Sequence, residues 1–155
     1  NTSFKILLIA CAYFIAAQAG SIFSNPSGFA SPIWPAAGIG LATALLYGPS
    51  PAMFGVFIGS ISSTMLGVFI ANDTVSTISL SITFSRAAGS AIEVFAGFWL
   101  LKKTTTLPLR FIAPKEILNF LFLAGPIACS FSATIGVLAL LLTNTLHPSE
   151  TSFTW

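Results

Sequence analysis

The stretch VSTISLSITFSRAAGSAIEVFAGFWLL, residues 75–101, decides the fold. Its length and apolar character read as a bilayer-crossing helix, yet Arg86 and Glu93 sit inside it, seven residues apart. An ionisable side chain at the centre of a membrane helix costs on the order of 2.5–3.5 kcal/mol, so it faces the bundle interior and marks a functional candidate. The spacing returns both residues to one face, about 20° apart around the helix and roughly 10 Å apart along it. Helical side chains lean toward the N-terminus, so Glu93 reaches back while Arg86 reaches away. Partners on other helices, or a bridging water, therefore fit this pair better than a direct salt bridge.

The composition around that stretch is of one kind. Charged residues make up 6% of the 155, hydrophobic residues 55%, and mean hydropathy is +0.92. A soluble domain carries charge on about a quarter of its residues, so the class is an all-α polytopic membrane helix bundle. A transmembrane β-barrel would show short alternating segments, whereas these apolar runs are continuous. A net charge of +2 gives no basis for a nucleic-acid partner. Cys11 and Cys129 lie mid-run and are expected as buried free thiols, not a disulfide or a metal pair. The first residues do not read as a cleaved signal peptide.

About five spans can be drawn, each compared with the roughly 20 residues needed to cross: residues 6–23, 33–47, 52–71, 75–101 and 117–142. Ser31-Pro32 is expected to cap the second and start it with proline, and Asn72-Asp73 to cap the fourth. Gly48-Pro49-Ser50-Pro51 reads as a tight hairpin, and Gly125-Pro126 should bend the last helix. Lys5, Lys102, Lys103, Arg110 and Lys115 then share one face, cytoplasmic by the positive-inside rule, with the N-terminus on that side. Asp73, His147 and Glu150 share the other. Trp34 is expected at the outer interface, and Tyr47 and Trp99 at the inner one.

Two stripes of small residues repeat every four positions. Gly55, Gly59, Ser63 and Gly67 line the third span; Ser81, Ser85, Gly89, Glu93 and Gly97 line the fourth. Lipid gives helices no hydrophobic reason to associate, so close backbone approach along such stripes holds bundles together. The short turn between these spans predicts that the two stripes meet each other. Glu93, on its stripe, points inward. Two readings of Arg86 and Glu93 stay open: satisfied polar glue, or the lining of a ligand pocket or switchable polar core.

The run Ser31-Pro32-Ile33-Trp34-Pro35-Ala36-Ala37-Gly38-Ile39-Gly40-Leu41-Ala42 resembles the signature of the first-described bacterial membrane-associated sensor (MASE-type) domains. Gly48, Phe57-Ile58-Gly59, Glu93 with Gly97 and Leu100-Leu101-Lys102-Lys103, and Ser132-Ala133-Thr134-Ile135-Gly136-Val137-Leu138 follow in the family's order. Phe153-Thr154-Trp155 looks like the approach to its Trp-rich Gly-Asp motif. The resemblance extends from about Phe4 to Trp155. Two positions depart: Met53-Phe54 stands where Trp-Pro is usual, and Ala36 where a second proline is. A pocket shaped differently is the consequence.

The resemblance implies an integral membrane sensor domain over residues 1–155, part of a domain of about eight helices. The expected role is a sensory input module in the bacterial inner membrane, passing a ligand or membrane cue to a cytoplasmic histidine kinase or cyclic-di-GMP domain in the same polypeptide. Trp34, Pro35, Gly38, Arg86 and Glu93 are the candidate sensing residues. Gly55, Gly59, Ser63, Gly67, Ser85, Gly89 and Gly97 are the packing residues. No catalysis, cofactor or metal is expected of the chain; its expected partners are the lipid bilayer and the effector, and a homodimer is compatible with it. The rivals are half of a small-solute transporter and a structural anchor or dimerisation module. His147 near Glu150 reads as a solvated loop, not a metal site.

Overall fold

The first four helices of this protein begin where the sequence supplies a start signal, and those starts correct two of the expected ones. In the computed structural model, residues 1–22, 34–71, 74–105, 114–145 and 151 are described. Helix α1, Thr2–Ser21, is capped by the Asn1 side chain, which accepts from the Ser3 amide at 3.2 Å. Helix α2, Pro35–Tyr47, starts two residues later than expected. A residue before proline is pushed out of the helical region, so Trp34, with φ −121° and ψ 82°, stands as the cap and Pro35 opens the helix. Ser31 and Pro32 lie outside the described residues.

Helix α3, Pro49–Ile70, follows after the single residue Gly48. Gly48 adopts φ +92°, a conformation that a residue with a Cβ rarely takes. Pro49 and Pro51 fall in the first turn, where no amide proton is required. Helix α4, Thr77–Thr104, is capped by Ser76 and not by Asn72-Asp73, which lie outside the described residues. Ser76 and Ser79 bond reciprocally, each side chain accepting from the other's amide, at 3.2 and 2.8 Å. Lys102 and Lys103 close α4, where cations complement the helix dipole.

The last run comprises α5, Pro114–Asn119, a π-helical segment, Phe120–Ile127, and α6, Ala128–Leu142. The expected bend is present: Gly125, with φ −84° and ψ −106°, breaks the helical path immediately before Pro126. Among the described residues there is no strand. Among the described residues three helices are long and apolar enough to cross a membrane: Thr2–Ser21, Pro49–Ile70 and Ile117–Leu142. Helix α2 has only 13 residues; α4 has the length but is less apolar.

The helices alternate in direction. Trp34 meets Gly20 at the end of α1, and Lys5 at its start lies 5.3 Å from the Tyr47 ring centroid at the end of α2, so α1 and α2 are antiparallel. Gly55 meets Ile9, Gly59 meets Tyr13, and Ser63 meets Gln18, so α3 runs parallel to α1. Gly40 against Val94 and Leu41 against Gly97 make α4 parallel to α2. Lys5, Lys102 and Lys103 consequently gather at one end, while Trp34 lies at the other. Lys103 sits 3.9 Å from the Trp99 ring centroid at the first of these ends.

The inside of the bundle is small and the outside large. Ala17, Ala36, Ala44, Ala52 and Val56 are buried with Ile9 and Tyr13, whereas Phe4, Leu7, Ile15, Phe54, Phe69 and Phe84 are exposed. Water-soluble domains bury such large side chains and rarely expose wide apolar surfaces. Small residues inside and large apolar ones outside are the arrangement of a membrane protein.

The glycine stripes meet other partners than expected. A Cβ at Gly55 would lie 2.6 Å from Ile9, and one at Gly59 would lie 2.7 Å from the Ala10 carbonyl oxygen. The α3 stripe thus packs on α1, not on α4. Ser63 continues it by accepting from Gln18 at 3.1 Å, while Gly67 faces open space. On α4, Gly89 approaches Ser132 and Ile135 of α6, and Gly97 approaches Leu41 of α2 and Ala128 of α6. Helices α3 and α4 are still neighbours, through contacts such as Phe57 on Phe84 with ring centroids 6.4 Å apart. Adjacency in sequence made them neighbours but did not decide which faces met.

Gly59→Ala should therefore destabilise the bundle by about 1–3 kcal/mol, the cost of overpacking against a backbone atom. Gly67→Ala should change little. Unfolding in detergent compares the two; equal losses would remove the α1–α3 approach from the account.

Candidate functional site

The polar side chains of the bundle core collect on α4. Arg86, Ser90 and Glu93 recur at intervals of four and three, which places them along one side of the helix. Ser90 turns to α1 and Glu93 to α6. Tyr13, in the middle of α1 and only 2% exposed, donates its hydroxyl to Ser90 Oγ at 3.1 Å. The Trp34 side chain is hydrogen-bonded to Tyr13 as well, and since an indole is a donor only, its N–H gives to the Tyr13 oxygen. Tyr13 also lies within electrostatic reach of both Arg86 and Glu93.

Glu93 is buried, 9% exposed. Its Oε1 accepts from Cys129 Sγ at 3.1 Å, and the Ser132 hydroxyl bonds the same carboxyl group. Both partners come from α6, at an i, i+3 spacing that presents them together. Arg86 and Glu93 form no direct pair: the carboxyl group is engaged with α6, while Arg86 has Tyr13 as its electrostatic neighbour. The sequence preference for separate partners on other helices describes this arrangement.

The remaining sequence candidates are spread more widely. Trp34 belongs to the cluster through Tyr13. Pro35 and Gly38 lie on the exposed side of α2, and Gly38 has nothing near it. The glycine of that run which approaches its neighbours is Gly40, where a Cβ would stand 2.7 Å from Val94 and 3.2 Å from Val56. Ser85 is half-buried on α4. Asp73, Arg110, His147 and Glu150 lie outside the described residues.

Cys11 and Cys129 are free, but both are exposed and not buried as expected. In a membrane bundle the outside is also apolar, so apolar flanks do not distinguish the core from the lipid face. Cys129 nevertheless turns its sulfur to Glu93. Among the described residues no three His, Cys, Asp or Glu side chains come together as a metal site would require. A groove on α6, lined by Ile127, Ser130, Phe131, Thr134 and Ile135, includes no member of the polar cluster.

Sequence reasoning singled out Arg86, Glu93 and Trp34 but missed Tyr13, Ser90, Cys129 and Ser132. Tyr13 did carry a signal. Tyrosine favours the membrane interface, and this one lies at the middle of its helix. A buried phenol needs a hydrogen-bond partner. Ser90, Cys129 and Ser132 are small residues among many others, with nothing in the sequence to set them apart.

What the arrangement can do is hold polar and ionisable groups of four chain segments in one connected region, inside a bundle whose exterior is apolar. No family model, no curated protein and no solved structure matches the chain.

The two thiols offer an internal control. Cys129→Ala should cost about 1 kcal/mol, because Glu93 loses a donor, Cys129→Ser should restore it, and Cys11→Ala should be neutral. Detergent unfolding midpoints measure all three; equal effects at the two cysteines would dissociate Cys129 from the network.

Proposed function

We propose that this chain is a membrane-embedded sensory input module of a bacterial signalling protein. A ligand or membrane cue biases two packings of the helices, and a cytoplasmic histidine kinase or cyclic-di-GMP domain of the same polypeptide reads out the bias. The observation that carries the reading is the polar core around α4: Tyr13 bonded to Ser90 and Trp34, and Glu93 bonded to Cys129 and Ser132, with Arg86 on the same side of the helix. Ionisable groups inside a membrane bundle are costly and mark functional sites by default. The ordered likeness to the MASE-type sensor signature, from Trp34-Pro35 to the run Ser132–Leu138, supports the same reading. In this reading the chain lies in the bacterial inner membrane, as all or part of one sensor domain.

In this reading α2 and α4 cross together with the three long apolar helices, giving five spans. The end that gathers Lys5, Lys102 and Lys103 is cytoplasmic, as the positive-inside rule directs, and the Trp34 end faces outward. The module itself performs no catalysis. Coupling requires only that the cue bind one packing better than the other.

The break at Gly125 favours a second reading, half of a small-solute transporter, because discontinuous helices line transporter sites. The protein sequence that adjoins this stretch separates the two. An inverted repeat of these helices favours transport, and a kinase or cyclase domain favours the sensor.

Glu93→Gln and Arg86→Gln each remove one charge while keeping hydrogen-bonding capacity. In the full-length protein each variant should insert at wild-type abundance and hold the output in one state. The double variant should depart from additivity, as coupled sites in one network do. Output per folded molecule, with abundance measured in parallel, tests this. Normal stimulus-responsive output from an abundant Glu93→Gln protein would contradict the proposed role of the polar core.

A further inference from the structure

The hydrogen-bond chain that reaches α4 has a direction, and it ends on a proton that nothing in the described structure accepts. Trp34 only donates, so it fixes the Tyr13 oxygen as acceptor. The Tyr13 proton is then given to Ser90 Oγ at 3.1 Å, and the proton of Ser90 itself is left over. Several other hydroxyls on these helices spend theirs on a carbonyl one turn back. Ser62 gives to Ile58 at 3.0 Å, Thr83 to Ser79 at 2.7 Å and Ser130 to Pro126 at 2.6 Å. Ser90 makes no such bond among the described residues. One turn earlier on the same side of α4 stands Arg86, whose five guanidinium donors likewise find no acceptor among the described residues.

Two sets of unspent donors, one cationic, therefore lie side by side in the bundle. The one carboxylate of the cluster does not serve them, because Glu93 is turned to Cys129 and Ser132 on α6. An uncompensated cation in such a place is costly, and a bound oxyanion would offset that cost. A carboxylate or phosphate group offers oxygens to both the guanidinium fork and the Ser90 hydroxyl. Arg86 lies nine residues into α4 from Thr77, about 14 Å along the axis, on the approach from the Trp34 end.

We infer that Arg86 and Ser90, with Tyr13 fixing the Ser90 hydroxyl, form a binding site for the oxyanion group of a ligand, a carboxylate or phosphate that enters from the Trp34 end. The inference rests on the sensory reading of this core and names the ligand chemistry it would take. The group comes either from a soluble anion or from an anionic lipid headgroup.

Thermal unfolding of the chain in uncharged detergent distinguishes the sources. Sodium phosphate, sodium succinate and added phosphatidylglycerol are each compared with sodium chloride at equal ionic strength. A rise in unfolding temperature with phosphate or succinate assigns the site to soluble anions, and a rise with phosphatidylglycerol alone assigns it to a lipid headgroup. In either case Arg86→Gln should weaken apparent affinity about ten- to a hundredfold, the loss of a charged hydrogen bond, and Arg86→Lys should weaken it less. Ser90→Ala is measured alongside because it leaves the charge in place and keeps the test readable if Arg86→Gln fails to fold; it should weaken affinity about threefold or more. No rise with any of the three probes overturns the inference, as does a rise that persists unchanged in Ser90→Ala. A protein that shows no rise, yet whose output locks under Glu93→Gln, keeps the sensory reading and loses this one.

Discussion

The backbone of α3 comes close enough to α1 at Gly55 and Gly59 that a single added carbon would strike Ile9 or the Ala10 carbonyl. The hydrogen bond from α1 to α4 depends on that approach. Lipid tails are as apolar as leucine, so helices here associate through contact and hydrogen bonding and not through exclusion of water. Close approach multiplies dispersion contacts that are individually worth only about 0.1–0.2 kcal/mol. It also seats Tyr13, whose Cβ would be 3.1 Å from a Cβ at Gly59. Held there, the ring carries its hydroxyl across to Ser90 on α4. Packing and polar core are thus one construction.

Helix α4 is where the construction converges. It presents Ser90 to α1, Val94 to Gly40 of α2, Phe84 to Phe57 of α3, and Gly89 and Glu93 to α6. A helix with two ionisable residues gains from being surrounded, because each polar group can then find protein instead of lipid. The same enclosure explains why the large apolar side chains are free to face outward. Ile78, Phe84, Ile92, Phe95 and Trp99 of α4 are exposed, while Ala87, Gly89, Ala91 and Gly97 are buried.

How much of this was legible follows from what each residue must satisfy. The helical membrane class was legible because charge is so scarce. The turn at Gly48 and the bend at Gly125-Pro126 were legible because those residues restrict the backbone locally. Ser31-Pro32 offers a start signal for α2, but Pro35 overrides it, because the residue before a proline is pushed out of the helical region and Trp34 becomes the cap. The partner of the α3 stripe was misjudged for a different reason. A stripe of small residues specifies close approach but carries no address, and only the assembled bundle shows that Ala10 and Tyr13 fill it. Cys129 and Ser132 were invisible for the same reason, since their importance lies in facing Glu93, a tertiary fact.

The central claim is that the α1–α3 approach positions Tyr13 and so completes the polar core. A double-mutant cycle between Gly59→Ala and Ser90→Ala measures this directly, by unfolding free energies in detergent. If Gly59→Ala displaces Tyr13 from Ser90, the second substitution has no bond left to remove, and the two effects should fall short of additivity by about 0.5 kcal/mol or more. Strictly additive losses would show that the packing of α3 on α1 and the hydrogen bond to α4 are independent, and would contradict the account.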